Sequence, residues 1–521
     1  MKKLSNFCLR VIAGIGTVLF LFLAFYSVRY TARMYTENED LTVIRNAEWK
    51  NFLFLIVVLF CAGVFSKVRF LTQKVVHILA VIVSVLLIGA LFLLVKDSRA
   101  YAISNDQLHV YLAGVKMASG EFFEYHQGEY FGVYPFQLGL AFIYSLFYRL
   151  VGGDAPEVVQ YVHAVCVGIT VYAGFRLTRE LFHSAAAECV YLLASLLFVP
   201  MHLYTVFIYG ESISVCGTVL AILFWTLFNS SKQRSKVLYG IGCAFSLTIS
   251  YIARPAAAIV LIAIFIIQVL LFFRQKKFLP LIMVVIILLT PLGAQKMIMT
   301  SIESKTGVEF EYAMPSVLWL AMGLQGDVDA GEVPGQYNAY NWSTFSECGF
   351  DRDVSAEAGS DYILGRMQEW FSNPDQMVLF FKTKLLNQWN EPSFGVFTVT
   401  RFMNEPKRWV TNLYYGDTYE MLYNMLDCLQ STVYILVLIY FVYLLIGKAS
   451  KNEEGERIGA IQPANYLPGL VMIGGILFSA IWEAKSRYVY PYMVIAMPYM
   501  AGVAALLADQ IRKLLSRKKS C

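Results

Sequence analysis

Charge is what this sequence has little of. Only 15% of its 521 residues are Asp, Glu, Lys or Arg, while 58% are hydrophobic. Soluble domains carry about 25% charge. Many apolar runs approach or exceed the roughly 18 residues that read as a membrane-crossing helix. One soluble core cannot absorb them all, so the sequence predicts an all-α polytopic membrane protein. Metal-ligand spacing is also missing. The nine cysteines form no CxxC and no Cys/His pattern, and most lie in apolar runs, where a thiol packs as a small hydrophobe. Cys348 and Cys428 fall in or beside the one long polar segment and are the candidate disulfide. There is no glycine-rich phosphate loop and no basic stripe, so the net charge of +5 does not point to nucleic acid. No internal repeat is visible, which weighs against secondary transporters.

What is present is a succession of apolar runs with basic clusters between alternate pairs. Lys2 and Lys3 precede the first run. No small-residue cleavage site follows it, so it reads as a retained signal anchor. The basic clusters are Ser66–Lys74, Ser230–Lys236, Arg274–Lys277, Lys448–Arg457 and the C-terminal tail. All fall on one side if the run Tyr134–Val151 is a helix lying along the outer surface rather than a span. Its Gln137, Arg149 and spaced aromatics suit the headgroup region. At roughly 20 apolar residues per span, this gives about twelve spans with both termini cytoplasmic. The expected organisation is a two-helix membrane hairpin (1–74), a transmembrane core (75–300) with a first outer loop (96–157), an outer α-rich subdomain (301–427) and C-terminal spans (428–521).

The stretch Ser104–Gly139 is polar, acidic and aromatic in an otherwise apolar chain, and this topology puts it outside. Asp106 opens a pattern D-x3-V-Y-x-A-G-x5-G that ends at Gly120. Asp106, Val110, Ala113 and Met117 share a helical face. An acid at a helix start is kept ionised by the positive end of the helix and can accept a proton. It is equally a favoured N-cap. Glu211 lies in the outer turn Tyr209–Ser212, Arg254 interrupts an apolar hairpin before a proline, and Glu483, Lys485 and Arg487 lie in EAKSRYVYP before the last span. Each also reads as an interfacial anchor. Glu483 and Arg487, four apart, can pair on one helix face. Trp319, Trp342, Trp370, Trp389 and Trp409 sit among carboxylates and amides. They suit either sugar platforms or ordinary packing. Lys384, before Trp389, is a weaker candidate for phosphate, as is Lys116. Asn341-Trp342-Ser343 is a sequon by pattern and reads as incidental.

SNDQLHVYLAGVKMASGEF, followed by GEYFGVYPFQLG and a segment ending in Gly152, resembles the first outer loop of GT-C glycosyltransferases. The resemblance is to the family-39 type: protein O-mannosyltransferases, lipid A aminoarabinose transferases and bacterial relatives. Asp106, Gly120, Tyr134-Pro135 and Gly152 match in order. Gln107 stands where such proteins often carry Glu, and Tyr134 where they often carry Pro, so the substrate class does not carry over. The resemblance implies a GT-C fold in a bacterial cytoplasmic membrane, with Asp106 as general base and Glu211 in a second acidic motif. It further implies an inverting transfer at the outer face, from a polyprenyl-phosphate sugar to an envelope glycopolymer, lipid or protein. Such a donor has a good leaving group. The site then needs a base and fixed cations, for which Arg254, Lys485 and Arg487 are the candidates. Tyr134 and Glu483 would line the substrate. No metal is required, although Asp106 with Glu211 could hold a divalent cation. The competing readings are an envelope polysaccharide polymerase and a lipid-linked-sugar flippase.

Overall fold

The computed structural model describes residues 2–35, 41–101, 105–153, 155–230, 233–446, 450–451, 457–458 and 463–518. Ser104, part of the Ser230–Lys236 and Lys448–Arg457 clusters, and the end of the basic tail lie outside these residues. Among the described residues, ten helices are long and apolar enough to cross a membrane, or eleven if the pair Ala185–Leu197 and Val199–Val206, bent by 58°, is one span. Alternation over the expected twelve also needs Leu467–Ile481, which has 15 residues. The protein is an all-α, multi-pass membrane protein, and among the described residues its strands form two short antiparallel ribbons. One ribbon pairs Tyr30–Met34 with Leu41–Arg45.

Helices are the solution here because hydrocarbon offers no partner for a backbone N–H or C=O. Their ends follow local chemistry. The Thr72 hydroxyl caps Gln73–Ser98 by accepting from the Val75 N–H, and Ser184 does the same for Ala185–Leu197 through Ala187. Pro156, Pro255 and Pro374 open helical segments, where a missing N–H costs nothing.

The N-terminal helix Lys2–Arg29 packs on the C-terminal helix Gly416–Ile446, where Ser431 Oγ donates to the Ser27 carbonyl at 2.9 Å. Glu211–Ser230 packs on Gln233–Ala253, and Ser250 Oγ donates to the Ser214 carbonyl at 2.8 Å. By chain connectivity, every turn carrying Asp106, Glu211, Arg254 or Arg487 falls at one end of the bundle. Lys67, Arg69, Arg179 and Arg274 fall at the other.

Residues 134–151 form a 3-10 turn, Pro135–Gln137, and then the 14-residue helix Leu138–Val151. At 1.5 Å per residue that helix is about 21 Å long, short of the roughly 30 Å hydrocarbon layer. Tyr144 and Tyr148 are buried against the helix Asn105–Ala118, while Phe142, Leu146 and Leu150 face outward. Gly114 permits this packing, because a Cβ there would meet Tyr144 Cβ at 2.8 Å. The segment after Thr306 is helical, as expected. Its later part, including Trp389, Phe394 and Tyr414, joins the main core. Cys348 and Cys428 are free thiols, so the candidate disulfide does not form: Cys428 is buried inside Gly416–Ile446, and Cys348 follows Tyr340–Glu347.

Candidate active site

Asp106 stands in the first turn of the helix Asn105–Ala118, and its carboxylate is 40% exposed. Two phenols hold it. Tyr130 donates to Oδ1 at 2.7 Å, and Tyr209 donates to Oδ2 at 3.2 Å. Burial, with the carboxylate's charge adding to it, pushes both phenols above their ordinary value, so they remain protonated donors. Gln137 donates its amide N–H to the Tyr209 oxygen and fixes that hydroxyl in turn. Arg487 Nη2 lies 4.0 Å from Asp106 Oδ2.

Behind Asp106 lies an ion pair between a buried glutamate and a partly buried arginine. Glu211, 3% exposed, opens the helix Glu211–Ser230, and its Oε1 is 3.3 Å from Arg254 Nη2. Gly210 lets the two turns meet, because a Cβ there would lie 2.5 Å from the Ala253 carbonyl and 2.9 Å from Arg254 Cγ. Arg254 is extended and precedes Pro255, which disfavours a continuous helix at that point. The Arg254 guanidinium lies 4.8 Å from the Tyr209 ring and 5.7 Å from the Tyr488 ring. Arg487 shares the same two rings at 5.8 and 5.4 Å. Aromatic faces stabilise cations that have left water. Arg487 Nε and both Glu211 oxygens are buried and make no hydrogen bond among the described residues.

The expected Glu483–Arg487 pair does not form. The chain leaves helical geometry at Trp482, and 486–488 is a 3-10 turn, so a four-residue spacing no longer places the two on one face. Glu483 pairs with Lys485 at 3.2 Å and accepts from the Tyr488 hydroxyl at 3.0 Å. Arg487 turns to Asp106 instead. Tyr134 lies at the rim, with its ring 5.2 Å from Tyr130 and 5.8 Å from Trp319. Trp319 in turn stacks on Trp482 at 6.1 Å.

Other candidates are not brought here. Lys116 pairs with Glu121 at 2.7 Å near the far end of Asn105–Ala118. Lys384 is buried and donates to the carbonyls of Gly323 and Trp482. Trp389 is buried in the core, donating to Ser479 Oγ at 2.9 Å and stacking on Tyr492. Trp370 packs on Phe380, Trp342 packs on Phe350, and Trp409 donates to Asp97. Of the five tryptophans singled out from the sequence, Trp319 is the one at the rim. Sequence reasoning missed Tyr130, Tyr209, Gln137 and Tyr488. All four lie inside stretches that were recognised, but tyrosines in an aromatic-rich chain carry no signal of their own, and Gln137, read as a headgroup-region residue, is buried against Tyr209. Among the described residues no three His, Cys, Asp or Glu gather as a metal site, and Asp106 and Glu211 each face an arginine.

A family model described as "Conserved hypothetical integral membrane protein" matches residues 4–511. The chain belongs to that family. Among solved structures it is similar to ArnT from Cupriavidus metallidurans, crystallised bound to undecaprenyl phosphate. The two are 12% identical, the match covers 81% of this chain and 77% of that one, and the TM-score is 0.33. No curated protein sequence matches.

Proposed function

We propose that this protein is an inverting GT-C-type glycosyltransferase. It moves a sugar from a polyprenyl-phosphate donor to a cell-envelope acceptor at the outer face of the bacterial cytoplasmic membrane. The observation that carries the reading is the juxtaposition of Asp106 with Arg487 at 4.0 Å. A half-exposed carboxylate at a helix start stands beside a largely but not fully buried guanidinium whose Nε makes no hydrogen bond among the described residues. The reaction needs that pair of functions. Asp106 takes the proton of the acceptor hydroxyl as its oxygen attacks the anomeric carbon. The carbon–phosphate oxygen bond breaks on the opposite face, and the departing polyprenyl phosphate is met by fixed positive charge.

In this reading Arg487 and Lys485 meet that phosphate. Arg254 is committed to Glu211 and holds the arrangement from behind. The two phenols on Asp106 direct the carboxylate while leaving it exposed enough to reach a substrate. Glu483 keeps Lys485 in place, and Tyr134 with Trp319 forms a wall at the rim. This assignment calls for no metal ion, so chelators should leave turnover unchanged.

The test is turnover by purified protein with a panel of undecaprenyl-phosphate hexoses and pentoses. Wild-type protein should release undecaprenyl phosphate from at least one donor. Asp106→Asn should lose at least about 100-fold in turnover, the usual size of a general-base contribution. Near wild-type turnover by Asp106→Asn would remove the base assignment.

A further inference from the structure

Next to Asp106 is a group of side chains that the proposed reaction does not use. His109 lies one helical turn beyond Asp106, on the same face. Its imidazole lies flat on the Tyr130 ring, with centroids 4.1 Å apart and planes 6° from parallel. Its Nδ1 is 2.5 Å from Glu124 Oε2. Phe123 lies 6.5 Å from the same imidazole. Glu124 also accepts the Phe131 N–H on its backbone carbonyl at 2.8 Å. Glu124 therefore grips the imidazole with its side chain and, with its backbone, the short helix Tyr130–Val133 that carries the phenol.

Partial exposure limits what this contact adds to fold stability. The His109 and Glu124 side chains are each 32% exposed, and a polar contact between partly exposed side chains contributes little. Glu124 also has a φ of +53°, a left-handed backbone that a non-glycine residue adopts at a cost. A strained residue holding a pair of small stabilising value points to a use for the position it enforces.

We propose that His109, held by Glu124, is a positioning residue. It fixes the ring of Tyr130 and, through the Tyr130 hydroxyl, the carboxylate of Asp106. The inference rests on Asp106 being the base. Tyr134 and Phe131 meet the Tyr130 ring at its edges, and the His109 stack covers its face; without that cover the ring can tilt, and the hydroxyl carries Oδ1 with it. With the ring clamped, Oδ1 is occupied at 2.7 Å, and the carboxylate has one orientation in which to meet the acceptor hydroxyl. Small displacements of a reacting group cost about 100-fold in rate, so the clamp acts on the chemical step and not on donor binding.

The test is a double-mutant cycle on the purified protein, using the undecaprenyl-phosphate sugar that gives turnover in the panel. Tyr130→Phe keeps the ring and its stacking but removes the hydroxyl. His109→Ala removes the clamp. Each should lower kcat about 10- to 100-fold and leave donor KM and undecaprenyl phosphate binding unchanged. The double variant should be no slower than Tyr130→Phe alone, because His109 acts through that hydroxyl. Multiplying effects, or a raised donor KM with unchanged kcat, would overturn the proposal. If His109→Ala is not recovered folded, His109→Gln enters the same cycle. Asp106→Asn separates the two levels of inference. If it is inactive while the cycle multiplies, the clamp alone is wrong. If it is active, the base assignment and the clamp fall together.

Discussion

At the residue scale, the site is a set of charges that have left water and found aromatic faces. Arg487 is the side chain on which donor binding should depend most. Arg487→Ala should weaken undecaprenyl phosphate binding by about 10- to 100-fold, the worth of roughly 1.5–3 kcal/mol of charge-assisted hydrogen bonding. Arg487→Lys should restore part of this, because it returns the charge without the planar fork. Equal affinity in all three proteins, measured by titration in detergent, would move the phosphate elsewhere. Lys384 makes a different prediction. Burial pushes its amine from an ordinary 10.5 down to about 7, against the pull of Glu483. Between those values the unfolded chain binds more protons than the folded one, so this residue makes stability rise with pH across that window. Its destabilising effect is complete below about pH 7. Lys384→Met should flatten the rise in melting temperature between about pH 7 and 9. A variant with the wild-type slope would show that another group titrates.

The elements are joined at the site by turns rather than by helix faces. Glu211 and Arg254 lie at the mouths of two adjacent helical hairpins, and Gly210 sets how closely they approach. Gly210→Ala should force the Ala253 carbonyl and Arg254 away. The expected cost is about 1–3 kcal/mol, typical of overpacking, read as a lower melting temperature. Donor turnover should fall with it, since Arg254 and Arg487 share the Tyr209 and Tyr488 rings. Wild-type stability and turnover together would mean that the turns have room to part. The helix Asn105–Ala118 and its neighbour Leu138–Val151 were legible as elements, because one carries an acid at its start and the other an amphipathic aromatic pattern. Their mutual packing through Gly114 was not, since a glycine in a helical pattern does not name its partner.

Over the whole molecule, connectivity separates the two ends of the bundle by charge. The basic turns around Lys67, Arg69, Arg179 and Arg274 lie opposite the end that carries Asp106. On the proposed topology the positive-inside rule puts that basic end in the cytoplasm. With the native cysteines replaced, Ser346→Cys, on an exposed turn of the segment after Thr306, should react with a membrane-impermeant maleimide in intact cells. Lys277→Cys should react only after permeabilisation. The reverse pattern would invert the protein and place Asp106 inside. The large polar segment is also less independent than its composition suggests. Trp389, Phe394 and Tyr414 are part of the main hydrophobic core, and the N-terminal helix packs against the C-terminal ones.

What the sequence determined by itself was set by solvent and by spacing. Apolar runs with few charges have to be membrane helices, because hydrocarbon leaves the backbone no other partner. Alternating basic clusters give those helices a direction. Asp106, Glu211, Arg254 and Arg487 stood out because a charge in so apolar a chain is costly unless it is used or paired. The tertiary structure decided which of them meet. Glu483 and Arg487 part because the chain turns at Trp482, whereas Asp106 and Arg487, hundreds of residues apart in sequence, come within 4.0 Å. It also decided that Lys384 and Trp389 are buried supports, since their surroundings come from segments remote in the chain. Finally, it placed Tyr130 and Tyr209 on the carboxylate. Those contacts depend on helix packing and on where the turns close, which local sequence patterns do not encode.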